Sequence, residues 1–96
     1  MSIDYLLLLN GLARRVKPAR SAFRDAAELD EKLADTGLDS LDTVLMTVYL
    51  CEMFGIPEKI GNTLVPVTFA DVVSFIEANR TRMPDSVDAA LATVDG

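Results

Sequence analysis

The chain contains no histidine and no tryptophan, and cysteine occurs once, as Cys51. Without histidine it lacks the commonest general base and the commonest metal ligand. A single cysteine forbids an internal disulfide, and with no Cys/His cluster no metal site is expected. A reducing cytoplasm is the simplest home for such a chain. Long apolar runs are also missing. Leu6-Leu7-Leu8-Leu9 is far too short to span a bilayer, and Met1-Ser2-Ile3-Asp4 lacks the basic start of a signal peptide. The expectation is therefore no export and no membrane insertion.

Basic charge is scarce as well. Nine Lys+Arg stand against 15 Asp+Glu, a net charge of −6. Such a chain repels nucleic-acid phosphates and anionic membranes, so no nucleic-acid partner is expected. The natural partners carry basic patches. Residues 1–24 hold Arg14, Arg15, Lys17, Arg20 and Arg24 against Asp4 alone. The acids gather between Asp25 and Glu58. With 96 residues there is room for one domain and little room for a walled catalytic cleft, so the chain is not expected to be an enzyme by itself.

What is present is helical. The spacing of Ile3, Leu6, Leu7, Leu9 and Val16 predicts a helix over 3–16, stopped by Pro18. Residues 18–38 are irregular, with Phe23, Leu29 and Leu33 as candidate core anchors. The basic cluster from Arg14 to Arg24 reads as a solvated face that can pair with the acidic loop. A second helix is predicted over 40–54, with Asp39 as N-cap, Asp42 reaching back from the third position, Gly55 as the stop and Pro57 beyond it. Residues 58–66 connect, with at most a short turn. A third clear helix is predicted over 68–80, opened by Thr68 and Asp71 and striped by Phe69, Val72, Val73 and Ile76. Residues 83–96 form a tail in which Val87, Ala90, Leu91 and Val94 share a side; a short extra helix and a frayed end are both open. The fold class is all-α, a bundle, with a main domain over 1–82.

The stretch that carries chemistry is Gly37-Leu38-Asp39-Ser40-Leu41-Asp42. Ser40 falls on the first turn of a helix, directly after an acidic cap. That position faces solvent, and the free N–H groups and positive helix end suit a phosphate. With no histidine to activate it, Ser40 is a poor nucleophile but a good attachment point for chemistry supplied from outside.

The run from Asp35 to Ile56 resembles the acyl carrier protein family. Asp39-Ser40-Leu41 is similar to that family's D-S-L signature, and Phe54-Gly55-Ile56 to the F-G-I that closes its second helix. The stretch from Thr68 to Ile76 resembles its last helix. The resemblance covers about residues 3–80. It implies a four-helix bundle with a long first loop and a short third helix. It implies a 4′-phosphopantetheine arm on Ser40, taken from coenzyme A with the help of a phosphopantetheinyl transferase; the thiol of the arm holds an acyl group. The implied partners beyond the transferase are acyl-loading, ketosynthase or acyltransferase enzymes, and the implied state is a monomer. Peptidyl carriers usually show two glycines before the serine; Gly37-Leu38-Asp39-Ser40 favours the acyl type, and an aminoacyl cargo stays open.

The chain departs from the family at Thr36, where a core leucine is usual, and along the second helix. At 100° per residue Thr43, Met46, Leu50, Met53 and Phe54 face inward. Leu41, Val44, Leu45, Val48, Cys51 and Glu52 face outward, where the family is rich in glutamate. Only Asp42 and Glu52 keep the charge. The candidate recognition residues are thus Asp39, Leu41, Asp42, Val44, Leu45, Val48 and Glu52, with two alternatives for the apolar ones: partner surface, or a floor covered by the 83–95 tail or by a second copy. Asp39 and Asp42 also have a plain capping role. Cys51 reads as a small apolar filler, and Phe23, Phe54, Phe69 and Phe75 as core. Met46 and Met53 read as core or as an adaptable acyl pocket. The departures point to a specialised lipid, polyketide or secondary-metabolite pathway. An unmodified helical interaction domain is the reading from another class.

Overall fold

The computed structural model describes residues 3–17 and 23–94; Pro18 and Arg20 lie outside them. These residues form five α-helices and no strand: α1 (Tyr5–Val16), α2 (Ser40–Phe54), α3 (Glu58–Gly61), α4 (Phe69–Asn79) and α5 (Val87–Leu91), with a 3₁₀ turn at Ala34–Thr36. The all-α class expected from the sequence is what the chain adopts.

In α1 the Asp4 carboxylate accepts the Leu7 N–H at 3.1 Å and starts the helix. The buried residues are Tyr5, Leu8, Leu9, Leu12 and Ala13. This corrects the predicted stripe. Positions 5, 8, 9, 12 and 13 form one helical face, whereas Leu7 lies off it and is exposed. Four consecutive leucines cannot all point one way.

The loop from Phe23 to Leu38 is tied down at both sides. Asn10 of α1 donates to the Ala26 carbonyl at 2.9 Å and accepts the Ala26 N–H at 2.8 Å. Further along, Leu33 N–H donates to the Val67 carbonyl, Phe69 N–H to that of Glu31, and Ala70 N–H to that of Leu29. Ala26, Leu33 and Leu38 are buried, while Phe23 and Leu29 are half-buried. The basic cluster does pair with the acidic loop: Arg14 meets Asp25 at 2.8 Å and Arg24 meets Glu31 at 2.7 Å.

The core joins α1, α2 and α4. Phe54 and Phe69 are fully enclosed, and the rings of Tyr5 and Phe54 lie 6.1 Å apart. Met46, Leu50 and Met53 are buried with them. Phe75 is only half-buried. In α4 a capping box joins Thr68 and Asp71, and Phe69, Val72 and Ile76 face inward with Val73 half-buried.

The tail is a helix, not a frayed end. Ser86 caps α5 by accepting the Ala89 N–H, and Ala90, Leu91 and Val94 are buried. It packs on α1, where a side chain on Gly11 would meet Leu91 Cδ1 at 2.6 Å. Among the described residues the tail leaves Leu41, Val44, Leu45 and Val48 on the outward face of α2 exposed.

The segment between α4 and α5 closes the end of α2. Gly55 takes the left-handed conformation with φ 64°. The N–H groups of Thr81 and Arg82 both donate to the Phe54 carbonyl, the Thr81 hydroxyl donates to the Gly55 carbonyl at 2.6 Å, and the Arg82 guanidinium donates to the carbonyls of Glu52 and Met53. These are the carbonyls a helix end leaves without partners, and a cation belongs there. Arg82→Ala is therefore expected to lower stability by about 1 kcal/mol, read as a denaturation midpoint shift at unchanged slope. An unshifted midpoint would show that water replaces the guanidinium at no cost.

Candidate functional site

The approach to Ser40 is built by a tight turn. Thr36 is buried, and its hydroxyl donates to the Leu33 carbonyl at 2.7 Å, so a polar residue sits at a core position without an unmet hydrogen bond. Gly37 follows at φ 100°, a backbone state that glycine adopts freely. Leu38 then plugs the core and Asp39 opens α2.

The predicted capping box is present in both directions. The Asp39 carboxylate accepts the Asp42 N–H at 2.9 Å, and the Asp42 carboxylate accepts the Asp39 N–H at 3.0 Å. The Thr43 N–H goes to the Asp39 carbonyl. The helix itself leaves the N–H groups of Ser40 and Leu41 without an acceptor. Ser40 is exposed at the first helical position.

Asp42 is not an open recognition acid. It is buried, and its Oδ2 lies 2.8 Å from the Lys17 ammonium just past the end of α1. Burial works to raise its carboxyl pKa, but the hydrogen bonds from Lys17 and from the Asp39 backbone outweigh that and hold it below the ordinary 3.8. Lys17 moves the other way, its ammonium strengthened chiefly by the hydrogen bond to Asp42. Asp71, in the capping box of α4, is lowered by the backbone N–H groups of Thr68 and Val67. A group with a lowered folded pKa stabilises above its unfolded value and loses that contribution as the pH falls through the lowered one. Glu31 and Glu77 are lowered as well, from the usual 4.5, chiefly by hydrogen bonds from Arg24 and Tyr5. Thermal melts are thus expected to hold steady above about pH 5 and to drop progressively below it. A melting temperature that stays flat through that window would exclude these boxes as acid-sensitive supports.

The outward face of α2 is open. Leu41 is 66% exposed, Val44 57%, Val48 46% and Leu45 39%. Glu52 is exposed at the far end, beside the Arg82 clamp. Cys51 departs from the expected face. It is buried, because α3 lies against it: a side chain on Gly61 would come within 2.6 Å of Cys51 Sγ. Burial, with the Glu58 carboxylate adding to it, pushes the thiol pKa up, so Cys51 is a filler and not a reactive thiolate.

Between α2 and α3 lies an open cleft of about 380 Å³. Its α2 wall is Thr43, Val44, Thr47, Val48 and Cys51, a stripe running down the helix from the turn that bears Ser40. Ile56 and Leu64 face it, and Glu52 and Glu58 stand at its edge. Met46 and Met53 do not line it; they belong to the core.

Sequence reasoning placed Ser40, the cap and the apolar face together, and the structure does the same. It missed Lys17, Ile56 and Leu64. Lys17 had no signal of its own, because its partner is 25 residues away. No group of metal-ligating side chains occurs among the described residues, and none of their helices is long and apolar enough to cross a membrane. Compared with protein-family models, curated proteins and solved structures, the chain matches none.

Proposed function

We propose that the protein is a non-catalytic acyl carrier that holds an acyl intermediate as a thioester on a 4′-phosphopantetheine arm at Ser40. The observation that carries this reading is an exposed, capped and unactivated serine at the head of an uncovered apolar helix face. On this reading α1, α2, the short α3 and α4 are the carrier bundle, and α5 is an addition braced on α1.

The residues present fit the arm. Ser40 offers a hydroxyl in the open, next to two backbone N–H groups that a phosphate can use. Arm attachment forms a bond from Ser40 Oγ to the phosphorus and breaks the pyrophosphate of coenzyme A. Adenosine 3′,5′-bisphosphate leaves, and the serine proton passes to a base on the transferase. Once bound, the group supplies a thiol that carries the acyl chain. The chain's own part is to hold Ser40 at a rigid helix start, to shelter apolar cargo along Val44, Val48, Ile56 and Leu64, and to present Leu41 and Leu45 to partner enzymes. Tethering raises the local concentration of the thioester at each partner.

The apolar α2 face favours dedicated acyltransferase or ketosynthase partners of a specialised lipid, polyketide or secondary-metabolite pathway, in the cytoplasm. The same face also supports a second reading, an unmodified helical interaction domain. Incubation with coenzyme A, Mg²⁺ and a broad-specificity phosphopantetheinyl transferase separates the two. A gain of one phosphopantetheine in the intact mass, absent from Ser40→Ala, is expected. A folded protein that gains nothing from an active transferase is the interaction domain.

A further inference from the structure

On the premise that Ser40 takes the arm, we propose that Lys17 is a positioning residue for that step, acting through Asp42. A single oxygen, Asp42 Oδ2, receives both the Lys17 ammonium at 2.8 Å and the Asp39 N–H at 3.0 Å. Asp39 returns the contact through its own carboxylate. Ser40 sits between the two residues so joined. The Lys17 and Asp42 side chains are only 15% and 9% exposed, so the pair is sheltered from competing water. Of the ion pairs among the described residues, only the one with Lys17 involves Asp42.

Removing the ammonium leaves a nearly buried carboxylate without a counter-ion. It then takes up a proton or turns out to water. Either change weakens its hold on the Asp39 N–H and frees the turn that carries Ser40. Turning outward also places a second open carboxylate beside Asp39, where the incoming pyrophosphate must approach. Lys17 thus supplies orientation and removes one repulsive charge. It touches neither cofactor nor reacting atoms. The apolar face that a transferase grips is left untouched, so the effect belongs to turnover and not to docking.

The test is arm loading of the native protein, Lys17→Met, Lys17→Arg and Arg82→Ala with one transferase, measured as kcat and KM for the carrier. Amide exchange of the Asp39 N–H is read by NMR on the same four proteins. Lys17→Met is expected to lose about tenfold in kcat with KM within about twofold, since displaced reacting groups cost rate more than binding. Lys17→Arg restores most of the loss, and the Asp39 N–H exchanges faster only in Lys17→Met. Arg82→Ala loosens α2 from its other end and controls for general destabilisation. An equal fall in Arg82→Ala and Lys17→Met overturns the proposal, as does native kcat in Lys17→Met. Failure of the native protein to load overturns the carrier reading itself, and the exchange data then show separately whether Lys17 holds the turn.

Discussion

A Ser40→Ala variant is expected to melt like the native protein and to take no arm at all. Ser40 adds nothing to the fold through its side chain: capping is done by Asp39 and Asp42, and the Ser40 side chain is exposed. Alanine is a good helix former at such a position, so the stability change should stay within about 0.5 kcal/mol. The loss of loading should be complete and not merely redirected. The next hydroxyls down the same face are committed to the helix: Thr43 donates to the Asp39 carbonyl at 3.0 Å and Thr47 to the Thr43 carbonyl at 2.8 Å. Intact mass after prolonged incubation, beside a thermal melt, checks both halves. A modified Ser40→Ala protein would move the attachment point elsewhere.

The second large effect belongs to the core. Phe54→Ala is expected to cost about 3–5 kcal/mol, a large share of the stability of a domain whose total lies near 5–15 kcal/mol. Phe54 is wholly buried against Tyr5, and it is the last residue of α2, so its backbone carbonyl also anchors Thr81 and Arg82. A cavity there removes ring contacts and loosens the anchor. Urea unfolding followed by circular dichroism measures the loss. A cost below about 1 kcal/mol would mean that Tyr5 and the neighbouring aliphatic side chains collapse into the space.

Much of this was legible in the sequence because the signals are local. Asp39, Asp42 and Gly55 lie within or beside the helix they start and stop, so α2 emerged with its observed ends. Thr68 and Asp71 marked the start of α4, which runs one residue shorter at each end than the predicted 68–80 because Thr68 and Arg80 are its caps. Residue spacing failed where one segment decides the fate of another. Leu7 looked like core within its own run, but which face of α1 is covered depends on α2, α4 and α5. Cys51 looked outward on α2 until α3 was laid against it. Asp42 looked like a surface acid because Lys17 is distant in sequence. The tail left two outcomes open, since five helical residues are too few to stand alone and their order comes from packing on α1. The resemblance to acyl carriers drew attention to Ser40; the exposure of Leu41, Val44, Leu45 and Val48 follows from the fold.

The two clamps on α2 also have a mechanical meaning. The helix is a beam gripped at its head by Lys17 from one side of the chain and at its foot by Thr81 and Arg82 from the other. With an arm on Ser40, a pull from a partner loads the head of that beam along a short path into α1. The load reaches α4 at the foot through the Thr81–Arg82 strap. On the carrier reading proposed above, the post would stay still while the tether swings, and the reach of the cargo would be set by the length of the arm.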